Sequence, residues 1–94
     1  MRLRWTPTAA NDLEQIHHYL KEHHPSGTQP TVLKLYEAAQ SLKRFPNRGR
    51  IGQLAGTREL VMPHRLPYVI VYEVGEHAVH ILRVVHASEN WPAQ

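Results

Sequence analysis

Apolar positions along this chain change period twice, and each change marks a different kind of element. Arg2-Leu3-Arg4-Trp5 alternates polar and apolar residues, the two-residue period of a short strand. From residue 7 the period lengthens: Ala9, Leu13, Ile16 and Leu20 recur at four, three and four residues, which predicts one buried stripe on a helix reaching about His23. Asn11, Asp12 and Gln15 are then expected to face outward. Thr6-Pro7 supplies the start, because a threonine hydroxyl accepts an orphan amide of the first turn and proline already has a helical φ. Asp12 and Glu14 are expected near the favourable positive end of the helix dipole. The segment His24-Pro25-Ser26-Gly27 reads as a turn. Thr28 or Gln29 with Pro30 opens a second helix, whose apolar face is Val32, Leu35, Ala39 and Leu42 and which Pro46 stops.

Beyond Pro46 comes a loop, Asn47 to Gly52, and the chain then turns β-rich. Thr57 to Met62 predicts a second strand, ended by Pro63, and Tyr68 to Val74 a third. Gly75-Glu76 forms a tight connection, and His77 to about His86 is the fourth strand. The last two runs are too short and too rich in Val, Ile and Tyr for helices. They are expected to form the inner pair of an antiparallel sheet. The order β-α-α-β-β-β predicts an α+β fold, with a helical hairpin packed on one face of a mainly antiparallel sheet and a single domain over 1–94. Strict alternation places Tyr68, Ile70 and Tyr72 on one face of the third strand. In the fourth strand it groups His80, Leu82, Val84 and His86 against Val79, Ile81, Arg83 and Val85. A charge on an apolar strand face needs a partner, so Arg83 is expected to meet either a carboxylate, for which Glu73 is a candidate, or a bound protein.

Composition narrows the chemistry. A chain of 94 residues has enough core to fold without staples, and it contains no cysteine, which removes disulfides and thiolate catalysis. No apolar run approaches the ~20 residues of a membrane span, and the N-terminus lacks the apolar stretch of a secretory signal, so a cytoplasmic location is expected. Net charge is +3. Between positions 43 and 65, Lys43, Arg44, Arg48, Arg50, Arg58 and Arg65 face the single acid Glu59, a cluster that serves either as a solvated face or as a contact for an acidic partner. The histidines do not suggest zinc. His17 and His24 would stand ~10.5 Å apart along an ideal helix, too far for one site, and no cofactor is expected. Trp5 and Trp91 read as core or edge-covering aromatics. Without several exposed aromatics on adjacent strands, direct nucleic-acid binding is not expected.

Several local motifs occur in order along the chain: W-T-P-x-A-x-x-D-L at 5–13, F-P-x-x-G-R at 45–50, G-T-R-E-L at 56–60, P-Y-V-I-V-Y at 67–72, and I-L-R-V-V-H at 81–86 followed by N-W-P. Together they resemble the RelE/ParE superfamily of toxins from bacterial type II toxin–antitoxin systems. The resemblance implies a small basic toxin neutralised by an antitoxin segment that orders on its surface. RelE-like members are ribosome-dependent endoribonucleases, whereas ParE-like members act on DNA gyrase. The ribonuclease pattern wants Arg just after the tyrosine that opens the third strand, and cations or Tyr just past the fourth. Here Val69 and Ala87-Ser88-Glu89-Asn90 occupy those places. Arg83 and His86 before a tail closing in Trp-Pro fit the ParE-like pattern. The resemblance therefore implies a gyrase poison in which no residue is catalytic, with Arg48, Arg50, Arg58, Arg65, Arg83, His86 and Trp91 as candidate contacts to target or antitoxin. The alternatives are a ribonuclease using His64, Arg65, Arg83 and His86 as acid/base groups and phosphate clamps, and a non-toxic remnant that keeps antitoxin binding.

Overall fold

The computed structural model describes residues 1–63 and 65–92. Strand β1 (Arg2–Trp5) leads into helices α1 (Pro7–His23) and α2 (Pro25–Ser41). Strands β2 (Arg50–Ile51), β3 (Arg58–Val61), β4 (Tyr68–Val74) and β5 (Ala78–His86) follow. They form one sheet in the order β1-β5-β4-β3-β2, in which β1 runs parallel to β5 and the other neighbours are antiparallel. The α+β architecture is the one expected, with β4 and β5 inside the sheet. β2 is additional to that expectation.

Both helices cover one face. Ala9 of α1, Leu35 and Ala39 of α2, and Leu42 at the C-cap of α2 are fully buried against Ile70, Tyr72, Val79 and Ile81. On the opposite face Val69, Val71 and Val85 make a second, smaller cluster beneath Trp91. β4 is thus buried on both sides, which is why its sequence is almost continuously apolar instead of alternating. Tyr68 and Tyr72 are both core residues.

Two local predictions need correcting. The segment 24–27 is not a turn: His24 alone absorbs the bend (φ −145°, ψ 65°), its N–H closing α1 on the Leu20 carbonyl, and Pro25 takes the first helical position of α2. Pro30 therefore lies inside α2, where it withholds an N–H from the carbonyl of Ser26, an exposed residue that water can reach. The face assignment of β5 also fails. Val71 pairs with Arg83 but Tyr72 pairs with Ile81, so Leu82 is an extra residue in a β-bulge. Beyond the bulge the alternation is inverted: Val84 joins Val79 and Ile81 in the main core, while Val85 lies in the cluster on the other side.

Thr6 holds the bulge in place. Its hydroxyl oxygen accepts the Ala9 N–H at 3.1 Å as the helix cap, and the hydroxyl lies 2.9 Å and 3.2 Å from the Ile81 and Leu82 carbonyls, to which it donates. One side chain starts α1 and docks it on the irregular turn of β5.

Candidate functional site

β1 ends where Trp5 pairs with Ile81, so the last residues of β5 have no neighbouring strand on that side. Their amides are met by carboxylates instead. Asp12 Oδ2 accepts the Val84 N–H at 2.9 Å, and Glu89 Oε1 accepts the His86 N–H at 3.3 Å. The same two acids hold Arg83, whose Nε donates to Asp12 Oδ2 at 2.7 Å and whose Nη2 lies 3.3 Å from Asp12 Oδ1 and 3.4 Å from Glu89 Oε2. Trp91 covers the guanidinium, with its ring centroid 5.2 Å away.

The Asp12 carboxylate raises the Arg83 pKa above its ordinary value against the opposing effect of burial, and Glu89 adds to the rise. Arg83 therefore joins α1, the end of β5 and the C-terminal tail. Its partner is not Glu73, which is exposed and sits opposite His80. Asp12, expected to face solvent near the helix dipole, is half-buried beyond the first turn, and its role is this pairing.

Beside this junction a groove of 730 Å³ runs between the helical hairpin and the end of the sheet. Ile16, Tyr19 and Leu20 of α1 form one wall, Leu66, Tyr68 and Val84 the other, and His24 and His86 stand at its margins. Burial, with a contribution from Tyr19, pushes the Tyr68 hydroxyl pKa up. The Tyr68 ring meets the His86 ring edge-on, with centroids 5.6 Å apart. His86 Nδ1 accepts the Ser88 N–H at 3.1 Å. The groove is apolar along its walls, carries Asp12 and Glu89 at one end, and has no Lys or Arg among the described residues of its lining.

The remaining candidates lie elsewhere. Arg50 pairs with the buried Glu59 at 2.9 Å, and Glu59 also accepts the Gln53 N–H at 3.0 Å. Burial alone would raise the Glu59 carboxyl, but the Gln53 amide and Arg50 together hold its pKa below the ordinary value. Arg58 donates to the Gly49 carbonyl at 2.8 Å, and Arg48 reaches the Ser41 hydroxyl at 2.7 Å. Arg65 is exposed with φ 63°, a left-handed conformation unusual for a residue with a Cβ.

Arg83, His86 and Trp91 thus form one neighbourhood and Arg48, Arg50 and Arg58 another, with Arg65 in neither. Of the alternative acid/base set, His64 lies outside the described residues. Arg83 is held by two carboxylates, on the face of β5 opposite His86. Asp12, Tyr19 and Tyr68 escaped the candidate list, although Asp12 stands in the W-T-P-x-A-x-x-D-L motif.

Residues 3–91 match the family described as ParE toxin of type II toxin-antitoxin system, parDE. The chain belongs to the ParE toxin family. Among curated relatives, toxin RelE2 of Caulobacter vibrioides is 43% identical over 84 residues, covering 89% of this chain and 92% of that protein. Toxin Y4kP of Sinorhizobium fredii is 36% identical over 91 residues, covering 97% and 93%. Among solved structures, the chromosomal ParDE system of P. aeruginosa superposes with a TM-score of 0.85 at 27% identity, covering 94% of this chain and 97% of that one. The RelBE2 toxin–antitoxin complex of Mycobacterium tuberculosis gives 0.66 at 26% identity, covering 90% and 95%. Val69 is buried beneath Trp91 on the face away from the helices. No helix among the described residues is long and apolar enough to cross a membrane.

Proposed function

We propose that this toxin is neutralised by a cognate antitoxin whose amphipathic helix seats its apolar side in the groove between α1 and the end of β5, and that the free toxin binds and poisons DNA gyrase, arresting growth. The observation that carries the reading is the chemistry of the groove. Its walls are apolar and aromatic, and among the described residues its lining contains two carboxylates and no arginine or lysine. Such a surface suits a helix with anchors at i, i+3, i+4 and i+7 and offers no guanidinium or ammonium to clamp a scissile phosphate. The likeness to a ParDE system and to a RelBE2 complex supports a two-protein arrangement. The buried Val69 and the engaged Arg83 support a toxin that acts by binding rather than by cutting RNA.

Supercoiling assays with purified gyrase test the target. The toxin is expected to inhibit supercoiling and accumulate cleaved DNA, while leaving mRNA intact in a translation extract. Cut mRNA with fully active gyrase would reject the reading. Tyr19, which lines the groove and is more than half exposed, is the site to probe for the partner. Tyr19→Ala is expected to weaken antitoxin binding about tenfold or more, as truncating an aromatic anchor does.

A further inference from the structure

Of the eleven Lys and Arg, Arg50 and Arg83 hold carboxylates and Arg58 is bound to main-chain carbonyls, which leaves eight. Five of these eight converge on one end of the molecule. Arg2 and Arg4 of β1 line a groove together with Tyr36, Gln40 and Lys43 at the end of α2, and the Met1 nitrogen donates to the Lys43 carbonyl at 3.1 Å. Arg44 and Arg48 border a second depression around Phe45, in the segment that directly follows Lys43. All five are exposed, and among the described residues none has a carboxylate within ion-pair distance. Glu37 and Glu76 flank the cluster: Glu37 shares a neighbouring groove with Arg48, and Glu76 precedes the His77 carbonyl that receives the Arg2 N–H.

We infer that this end of the toxin is a docking surface for the phosphate backbone of duplex DNA. Cations delivered by a strand, a helix end and a loop spread positive charge over a surface without shaping a socket. Arg2 and Arg4 leave β1 on one face about 6.6 Å apart. Of the large apolar groups here Tyr36 and Phe45 stand exposed while Leu3 and Trp5 are half-buried, and Arg44 lies over the Phe45 ring at 5.5 Å, so cations stand among every apolar group the surface offers. A polymer with a charge at every step needs only cations in register with its backbone. Lack of stacked aromatics argues against a single-strand binder, but not against phosphate contacts, and the fold sets Arg2 and Arg4 beside Lys43, far away in sequence.

The purpose of the surface rests on the gyrase reading, since a toxin that poisons an enzyme holding DNA would gain contacts from that DNA. The surface is distinct from the antitoxin groove. α2 runs from Ser26 and Gly27 in the groove to Gln40 in the basic end, about 21 Å at 1.5 Å per residue.

Fluorescence anisotropy of the full chain with a labelled 30-bp duplex of arbitrary sequence, between about 50 and 200 mM salt, tests the inference. Five contacts predict a slope of log affinity against log salt of about −4.5, and two contacts about −1.8. The variant Arg2→Ala/Arg4→Ala/Lys43→Ala should move the slope between those values and lower affinity at least tenfold, whereas Lys21→Ala should change neither. No binding at the lowest salt, or a slope that the triple variant leaves unchanged, overturns the inference. So does displacement of the duplex by poly-glutamate at an equal concentration of charge, which would assign the surface to acidic peptides. DNA binding by a toxin that does not inhibit gyrase supports the surface and rejects the gyrase reading. Undiminished gyrase poisoning by the triple variant removes DNA contact from the mechanism and leaves that reading standing.

Discussion

Asp12 Oδ2 accepts two hydrogen bonds at once, from Arg83 Nε at 2.7 Å and from the Val84 amide at 2.9 Å, and both donors belong to the part of β5 that β1 leaves unpaired on one side. Asp12→Ala leaves an edge amide without its acceptor and the guanidinium without its nearer carboxylate. Hydrogen bonds to charged groups contribute about 1.5–3 kcal/mol each. The side chains of Arg83 and Asp12 are 27% and 15% exposed, so water recovers part of that loss, and Arg83 keeps Glu89 and Trp91. The expected cost is therefore about 3 kcal/mol rather than the sum of the parts. For a domain of this size that corresponds to a fall in Tm of roughly 12–24 °C. Asp12→Asn keeps an acceptor for Val84 and loses the charge, so about half the cost is expected.

Urea denaturation of the wild type, Asp12→Ala, Arg83→Met and the double variant closes a thermodynamic cycle. The two side chains should show a coupling of about 1–2 kcal/mol with unchanged m-values. Additivity within about 0.3 kcal/mol would refute the idea that Arg83 is held in place by Asp12.

Other perturbations probe the β2–β3 edge and its loop. Because Glu59 has a folded-state pKa below its ordinary 4.5, its stabilising effect is fully present above that value and is lost as pH falls through the folded pKa. Glu59→Gln should therefore flatten the acid limb of the stability–pH curve while lowering neutral-pH stability by about 1–2 kcal/mol. Parallel acid limbs for the two proteins would contradict it. Tyr72 is fully buried; its hydroxyl accepts the Gly49 N–H at 2.8 Å and donates to the Pro46 carbonyl at 2.7 Å. Tyr72→Phe should cost about 1–3 kcal/mol in urea titration and speed hydrogen exchange at Gly49, and protection equal to wild type would show that the loop is held by something else. At Gly49 itself an added Cβ would lie 2.7 Å from the Tyr72 hydroxyl and 3.0 Å from the Glu59 backbone. Gly49→Ala should destabilise by about 1–3 kcal/mol by overpacking, and an unchanged denaturation midpoint would count against that close approach.

Local chemistry was enough to place most elements and the family. Thr6-Pro7 starts α1 because the cap and the proline act within one turn, and Tyr68–Val74 is a strand because β-branched and aromatic residues run unbroken between turn residues. The ordered motifs from Trp5 to Pro92 were enough to indicate the RelE/ParE superfamily. Contacts between residues distant in the chain could not be read this way. Which face Arg83 occupies depends on one extra residue at Leu82, and that bulge exists where Thr6, some 75 positions earlier, captures its carbonyls. The partner of Arg83 follows from where β1 stops, since only an unpaired edge leaves a Val84 amide for Asp12 to take. β2 forms because Arg50 finds Glu59 across the sheet edge, and the basic end because β1 lies beside the last turn of α2. A two-residue period assigns faces only while the register is unbroken, and charge along a chain becomes a surface only when the topology says which cations are neighbours.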